Sequence, residues 1–590
     1  MRERLRQWRR HFRRVPAIGE EQAFLLLAVY VGIVAALAVV CFRIAIEGSR
    51  LALLGSSLQA SPLRLVLAPT LVGLLVGALV QRFFPRAPAS GVNQTKAALY
   101  VDDGHIPFTA VAGKFVTSSL AIGSGHSLGP EDPSLQIGAG FASAIGRVLG
   151  LPREKLRLLP SLGAAGGLAA AFNSPIAAVL FVVEEVIGRW SAGVLGAVIL
   201  SAVASVSVAQ WFLGADPLFR VPEVHSVDPR ELIAFGGLGL VGGVAAVSFL
   251  RLALGARRRL LALPVWTRYL QPAAAGFLIG CVALAYPQVL GAGYETIDAV
   301  LHGEFSWRTL AVLAVLKILC TGLSFASGTP GGLFAPTLVM GALVGGAMGR
   351  LQAAWFPDLA SPLALYVLVG MGTMFAGNLR APMTSIFMIL EITGNYTIVV
   401  PLLVSNTVAY LVSLKFQRTP IFDVVARMDG MDLPSTEEQR EQSVLRVENA
   451  MRAPDGPVLK PGETVAEALG RTGSATDGFL LVHERGRDWS GVTRARLLRA
   501  AEGAPDRRVS EVTEALLPQL HPDHPLEAAL RLVREWWPLL PVVHRADSSR
   551  LLGVLSLDDI LATYRGDPPS SGAPRAAVPV DDAGGTATSA

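Results

Sequence analysis

The sequence predicts an all-α polytopic membrane protein with inverted-repeat halves and broken helices, followed by a smaller α/β region of soluble composition. Three observations predict it. The first is composition. Of 590 residues, 52% are hydrophobic and only 16% are charged, the charges crowding into the two ends, and the mean hydropathy is +0.47. A soluble chain of this size spreads charge over its surface. The second is an internal echo. Residues 129–147 read GPEDPSLQIGAGFASAIGR and residues 332–350 read GLFAPTLVMGALVGGAMGR. Without gaps they match at Gly129/Gly332, Pro133/Pro336, Leu135/Leu338, Gly138/Gly341, Ala139/Ala342, Ala144/Ala347, Gly146/Gly349 and Arg147/Arg350. The third is the character of the echo: a Gly/Pro-broken segment that runs into an apolar helix of small residues. Paired, interrupted apolar segments in two halves are the sign of a membrane transporter with internal repeats, its site lying where the breaks meet. There the first half carries Glu131 and the second Phe334.

The elements follow in order. The opening MRERLRQWRRHFRR holds seven Arg against one Glu, and basic residues ahead of a first membrane helix favour the cytoplasmic side. Residues 1–20 therefore read as a basic cytoplasmic N-terminus rather than a nucleic-acid arm. No cleaved signal peptide is expected, because the apolar run from residue 23 is too long and lacks a small-residue cleavage site. That run, 23–46, spans a bilayer at roughly 20 residues per crossing, and 65–80 is a second. Then come shorter pieces, 110–122, 134–150, 157–172, 175–187 and 191–212. Bare backbone in lipid is costly, so pieces too short to cross must bury their ends in protein or line an aqueous cavity. Residues 216–230 read as an extramembrane connector. Long helices at 231–255 and 272–295 follow, and the broken pattern returns through 308–325, 333–350, 362–377, 382–392 and 397–415. The halves are thus about 21–215 and 231–428, forming a membrane domain over 21–428. A second echo supports them: AFNSPIAAVLFVVEE at 171–185 against NLRAPMTSIFMILE at 378–391, with Pro175 facing Pro382 and Glu184 facing Glu391. Proline suits a first helical turn, where its missing N–H has no partner anyway.

Helix N-termini carry unpaired N–H groups and partial positive charge, so several aimed at one spot make an anion site without a buried cation. Conduction needs such weak holding, because the ion must also leave. The glycines before Glu131 and Phe334 allow close backbone approach. Ser90, in Ala89-Ser90-Gly91-Val92, sits in a third break and offers a hydroxyl, with a plain helix cap as its simpler reading. Lys114, Lys317 and Arg380 are the main intramembrane cations. Cys41, Cys281 and Cys320 lie in apolar stretches at no metal-ligand spacing and read as packed thiols.

These residues carry a resemblance. The sequence resembles the CLC chloride channel/transporter family over about residues 20–430. Ala89-Ser90-Gly91-Val92 is similar to the family's GSGIP loop, Gly129-Pro130-Glu131-Asp132-Pro133 to GxEGP, and Gly331-Gly332-Leu333-Phe334-Ala335-Pro336 to GGIFAP. Phe172-Asn173-Ser174-Pro175 followed by Glu184-Glu185 also matches. The resemblance implies two inverted halves of tilted, partly broken helices in a homodimer with one pore per subunit. It implies proton-coupled chloride exchange, with a passive chloride channel of the same fold as the alternative. Glu131 would be the gating glutamate, in the outer anion site when ionised and carrying a proton when not. Ser90 would coordinate the central chloride together with Leu333 and Phe334 N–H groups. Glu185 would be the internal proton-transfer glutamate, against the plainer reading of an acid at a cytoplasmic helix end. An unpaired carboxylate in an apolar, glycine-lined break is functional by default, which favours the gating role for Glu131. Chloride and protons are the substrates, and no cofactor or metal is required.

Three positions depart from the family. Its central-site tyrosine falls at Phe422, which keeps the ring and loses the hydroxyl. The glycine after the gate is Asp132, where a second carboxylate is expected to favour protonation of Glu131 by like-charge repulsion. The proline after the serine loop is Asn93. His126, five residues before the gate, is a candidate pH sensor, against the reading of a structurally bonded histidine.

Residues 429–446 read as a linker, and 447–565 look like a pair of CBS modules, giving a cytoplasmic α/β CBS-pair domain. The first runs from Asn449-Ala450-Met451 through Gly491-Val492-Thr493, the second from Val509 through Asp559. Both repeat an apolar strand, a turn, GV-x-[ST] and a helix. The resemblance implies that Ser556 and Asp559 bind an adenine nucleotide, while the first module has Thr493 but Arg496 in place of the acid. A purely structural dimerisation role is the alternative. The Pro/Ser/Gly/Ala-rich tail 566–590 is expected to be disordered. The chain as a whole is expected to be a multi-pass inner-membrane protein with both termini cytoplasmic and no nucleic-acid partner. An intramembrane enzyme is set aside for want of HExxH, a GxSxG nucleophile elbow or paired catalytic aspartates. A fluoride-selective member is disfavoured by Ser90.

Overall fold

The computed structural model describes residues 19–55, 61–188, 192–219, 221–222, 228–357, 361–417, 419–431, 433, 445–454, 456–472, 478–484, 488–513, 516–535, 537–545 and 547–565. Nearly all of the basic opening segment, most of the linker, part of the 216–230 connector and the whole 566–590 tail lie outside them. The chain divides into two units, Met1–Thr436 and Glu437–Ala590.

The first unit is helical. Its elements are α1 (Glu20–Leu53), α2 (Pro62–Arg82), α3 (Gly91–Tyr100), α4 (Phe108–Gly123), α5 (Glu131–Leu149), α6 (Arg153–Phe172), α7 (Pro175–Phe181, continued by a π turn Val182–Ile187) and α8 (Ala192–Leu213). After the connector come α9 (Leu232–Leu261), α10 (Gln271–Ala283), α11 (Tyr294–Leu301), α12 (Trp307–Ala326), α13 (Phe334–Trp355), α14 (Leu363–Leu379), α15 (Pro382–Thr393), α16 (Val399–Phe416) and α17 (Ile421–Met428). Among the described residues, seven helical runs are long and apolar enough to cross a bilayer: Glu20–Leu53, Pro62–Arg82, Val194–Leu213, Pro229–Leu261, Trp307–Ala326, Phe334–Trp355 and Tyr396–Met428. The apolar stretch of Phe334–Trp355 is 78% buried against 39% for Glu20–Leu53, so α13 is covered by protein and α1 faces outward.

Matching devices recur in the two halves. Asn173 ends α6 in the left-handed region (φ 56°) just before Pro175 opens α7, and Arg380 ends α14 the same way (φ 57°) before Pro382 opens α15. A side chain on Gly138 would come within 2.2 Å of the Gly163 carbonyl oxygen, and one on Gly341 within 2.3 Å of that of Gly370. Small residues thus let α5 lie against α6 and α13 against α14, the usual means of packing helices where lipid offers no hydrophobic drive.

One expected element is cut short. The 272–295 helix stops at Ala283, and Pro287–Val289 is a 3-10 turn. Pro287 supplies no N–H to a helix, and Gly291 (φ 56°) and Gly293 (φ 86°) turn the chain left-handed. A new helix then starts at Tyr294, which matters below. The thiols also differ from expectation: Cys320 is buried, but Cys41 and Cys281 are exposed on the outer surface of the unit, where apolar helices meet lipid.

The second unit is α/β and built in two similar parts. Its elements are α18 (Val447–Ala450), α19 (Val465–Thr472), β1 (Phe479–Val482), β2 (Ser490–Thr493), α20 (Arg494–Gly503), α21 (Leu526–Glu535), β3 (Leu539–His544), β4 (Asp547–Ser556) and α22 (Leu557–Arg565). β1 pairs antiparallel with β2, Leu480 opposite Val492, and β3 with β4, Leu540 opposite Leu555. One core gathers Leu459, Val465, Leu480, Val482 and Leu497, and another Val447, Leu526, Leu540, Val542 and Ile560. The repeated strand–turn–helix phrasing in the sequence is the origin of both.

Candidate functional site

The two glycine breaks meet and pair. Gly129 N–H donates to Gly332 O at 2.8 Å, and Gly332 N–H to Gly129 O at 2.7 Å. A Cβ on Gly129 would lie 2.3 Å from Glu131 Oε2, so only glycine leaves room for the acid. Glu131 is the first residue of α5 and is fully buried. Its Oε1 accepts from the Tyr294 hydroxyl, and its Oε2 from Ala335 N–H at 3.3 Å. Ala335 lies in the first turn of α13, so the carboxylate rests against two helix N-termini whose dipoles favour negative charge. Leu333 is the N-cap of α13 and Phe334 its first helical residue, which brings both predicted anion-site residues beside Glu131.

The Phe334 ring packs edge-on to Phe181 at 5.0 Å and lies 6.3 Å from Phe422. Phe422 sits at the start of α17, and its carbonyl accepts from Asn93 Nδ2 at 2.8 Å. Two of the three positions expected to depart from the family pattern, Asn93 and Phe422, are thus bonded to each other, tying α3 to α17.

Ser90 is the N-cap residue of α3. Its Oγ donates to Asp132 Oδ1 at 2.9 Å, Gly91 N–H to Oδ2 at 2.9 Å, and Val92 N–H to Oδ1 at 3.3 Å. Lys114 Nζ, wholly buried, stands 3.7 Å from Oδ2 and donates to Ala87 O and Ala89 O at 2.9 and 2.7 Å. The expected like-charge effect on Glu131 gives way to this arrangement. The Asp132 charge is met by a cation and three donors, while Glu131 is held by a separate pair.

Glu185 lies in the π turn after α7, 4% exposed. Lys96 Nζ donates to its Oε1 at 2.6 Å and stands 3.5 Å from Asp423 Oδ1. Lys96 and Asp423 are as deeply buried. Lys96 is six residues after Ser90 on α3, about 9 Å along the helix axis. One helix thus joins the Ser90 end of the site to the Glu185 end.

The neighbouring acids serve structure. Glu184 Oε2 accepts from Thr384 N–H at 3.0 Å and Thr384 Oγ1 at 2.6 Å, at the start of α15. Glu391 accepts from Ile176 and Ala177 N–H at 2.9 and 2.8 Å, at the start of α7. Lys317 donates to Val289 O and Gly291 O at 2.9 Å each, as Lys114 does in the first half. His126 is buried with Nε2 3.1 Å from Pro69 O, the arrangement of a structurally bonded histidine. Gly125-His126-Ser127-Leu128-Gly129 does spell G-x-S-x-G, contrary to the expectation above. It joins helices rather than a strand and a helix, and Ser127 Oγ is 2.8 Å from Thr321 Oγ1, so no nucleophile elbow forms.

In the second unit Ser556 and Asp559 come together. Ser556 Oγ and N–H donate to Asp559 Oδ2 at 2.6 and 2.9 Å, closing a cap on α22. Arg452 Nε stands 3.1 Å from both Asp559 oxygens.

Tyr294, Lys96 and Asp423 were not singled out by sequence reasoning. Lys96 carried a usable signal, a lysine six residues after Ser90 within the stretch read as membrane domain. Tyr294 is passed over because 272–295 reads as one apolar helix, although Pro287, Gly291 and Gly293 mark the break that aims it at Glu131.

The family model described as voltage gated chloride channel matches residues 72–414. The chain is 34% identical over 414 residues to the H+/Cl− exchange transporter ClcA of Vibrio vulnificus, covering 68% of this chain and 88% of that one. It is 32% identical over 413 residues to the voltage-gated ClC-type chloride channel ClcB of Escherichia coli, covering 68% and 97%. Among solved structures, a slow cyanobacterial Cl−/H+ antiporter superposes with a TM-score of 0.64 at 26% identity, covering 70% of this chain and 99% of that one.

Proposed function

This chain belongs to the voltage gated chloride channel (CLC) family, and from that premise we propose that it is a proton-coupled chloride antiporter. Glu131 alternates between the anion site and proton transfer, Ser90 with the Leu333 and Phe334 N–H groups holds chloride, Phe422 lines that site, and Glu185 passes protons on the internal side. One observation carries this reading: a single buried carboxylate, Glu131, bonded at the N-terminus of α13 where the two breaks meet. There it competes with an anion for the donors at the start of α13, and as a carboxylate it can also take a proton. The alternative, a passive chloride channel of the same fold, is favoured by Phe422, which lacks a hydroxyl, and by the ClcB relative. Purified full-length protein in liposomes under a chloride gradient, with pH recorded together with chloride flux, separates them. Uphill proton movement driven by chloride is the expected result, and chloride flux with no proton movement means a channel.

The matching devices of the two halves support inverted repeats, and the long apolar helices support a multi-pass membrane protein; a homodimer in a bacterial inner membrane with both termini cytoplasmic is proposed from the family resemblance alone. The paired α/β parts of the second unit support a CBS pair, with an adenine nucleotide at Ser556 and Asp559. Titration of the full-length protein with ATP tests that site, and an unaltered heat signal would reject it.

A further inference from the structure

Asp132 stands where the central chloride site at Ser90 should be open. Its carboxylate takes the Ser90 hydroxyl at 2.9 Å, Gly91 N–H at 2.9 Å and Val92 N–H at 3.3 Å, which are the donors that a chloride at the start of α3 would use. Lys114 stands 3.7 Å behind it, and Asp132 as a residue is 3% exposed. Resting on the reading of Ser90 as a chloride ligand, we propose that Asp132 is a built-in competitor for chloride. It is a tethered carboxylate that fills the Ser90 site and must leave it before an anion can bind there.

The physical case has three parts. A carboxylate and a halide ask for the same convergent N–H and O–H donors, so the two cannot share them. The tether supplies the carboxylate at high effective concentration without any cost of bringing it in. A fixed cation beside the donors is unusual in a site meant to release its ion, and Lys114 is balanced here by the Asp132 charge, so the pair leaves the donors no net excess of attraction. The residue therefore sets affinity and selectivity at the Ser90 end, while Glu131, bonded to Tyr294 and Ala335, acts at the other.

The test compares wild-type, Asp132→Gly and Asp132→Asn full-length protein in liposomes, reading chloride efflux against chloride concentration. Apparent affinity falls by the fraction of time a site is open, so Asp132→Gly is expected to lower the KM for chloride about tenfold. Asp132→Asn, which keeps the shape and removes the charge, is expected to lower it by about a third of that on a log scale or more. In detergent, chloride in place of gluconate is expected to raise the melting temperature of Asp132→Gly more than that of wild type, because in the variant chloride also replaces the lost counter-charge of Lys114. Unchanged KM in both variants, or equal destabilisation of Asp132→Gly in the two salts, makes Asp132 a mere cap and overturns the proposal. If Asp132→Gly fails to fold, the KM of Asp132→Asn decides. Absence of chloride flux from every form, wild type included, would instead reject the transport reading on which this rests.

Discussion

Glu184 and Glu391 cap each other's helices. Glu184, beyond α7, bonds Thr384 at the start of α15, while Glu391, near the end of α15, bonds Ile176 and Ala177 at the start of α7. Each carboxylate satisfies N–H groups that helix geometry leaves unpaired, and each adds charge where the dipole welcomes it. The exchange holds the π turn bearing Glu185 against the second half of the chain.

Removing one cap should therefore be felt. Glu391→Ala removes the cap from two N–H groups at the start of α7 and should destabilise by about 0.5–2 kcal/mol, the usual loss of a helix cap. Glu391→Gln should lose less. Thermal melting in detergent checks this, and three indistinguishable melting curves would contradict it.

The Lys96–Glu185–Asp423 cluster invites a second prediction. Lys96→Met takes a buried cation away from two buried carboxylates and should cost about 3–5 kcal/mol. Adding Glu185→Gln in the same chain should recover part of that loss, since one of the stranded charges is then gone. Denaturation of the single and double variants decides; a double variant no more stable than the single one counts against the pairing.

Tyr294 holds Glu131 in place, so Tyr294→Phe should loosen the gate. A hydrogen bond to a charged group is worth about 1.5–3 kcal/mol, and a shift of that size in gate population corresponds to roughly tenfold or more. Chloride efflux from liposomes should rise, whereas Glu131→Gln should keep chloride moving and lose the accompanying protons. A slower or unchanged Tyr294→Phe would show that the hydroxyl does not restrain the acid.

His483 stacks on Trp489 with ring centres 4.1 Å apart and planes 4° off parallel. Burial holds its pKa below the ordinary value of 6.5, partly offset by Asp547, Asp488 and Glu484. A histidine lowered in the folded state contributes its full stability above the unfolded value. That stability is lost as pH falls below 6.5, because the unfolded chain takes the proton first. Amide exchange in Phe479–Val482, corrected for intrinsic rates, should speed up between pH 7 and 5.5 in wild type and change less in His483→Phe.

The halves, the two breaks and the strand–helix repeats of the second unit were legible because each leaves a periodic or glycine-marked trace in one dimension. Glu131, Ser90 and Phe334 stood out for the same reason, each lying in or beside a break, whereas Phe422 was picked out by the family resemblance. What stayed hidden depends on long-range pairing. Asp132 sits next to Glu131 in the chain, and adjacency suggested repulsion between them. The fold instead turns Asp132 toward Ser90 and Lys114. Tyr294 reaches Glu131 only because Gly291 and Gly293 break an apolar run that otherwise reads as one helix. The match of G-x-S-x-G at Ser127 shows the converse, letters without the geometry that gives them meaning.

The mutual bonding of Gly129 and Gly332 bears on how the protein is made. These partners are 203 residues apart in the chain, which at about 5–20 residues per second is roughly 10–40 seconds of synthesis. For that interval Gly129 lacks its final partner, so the first half can reach its finished form at this break only once the ribosome has delivered the second.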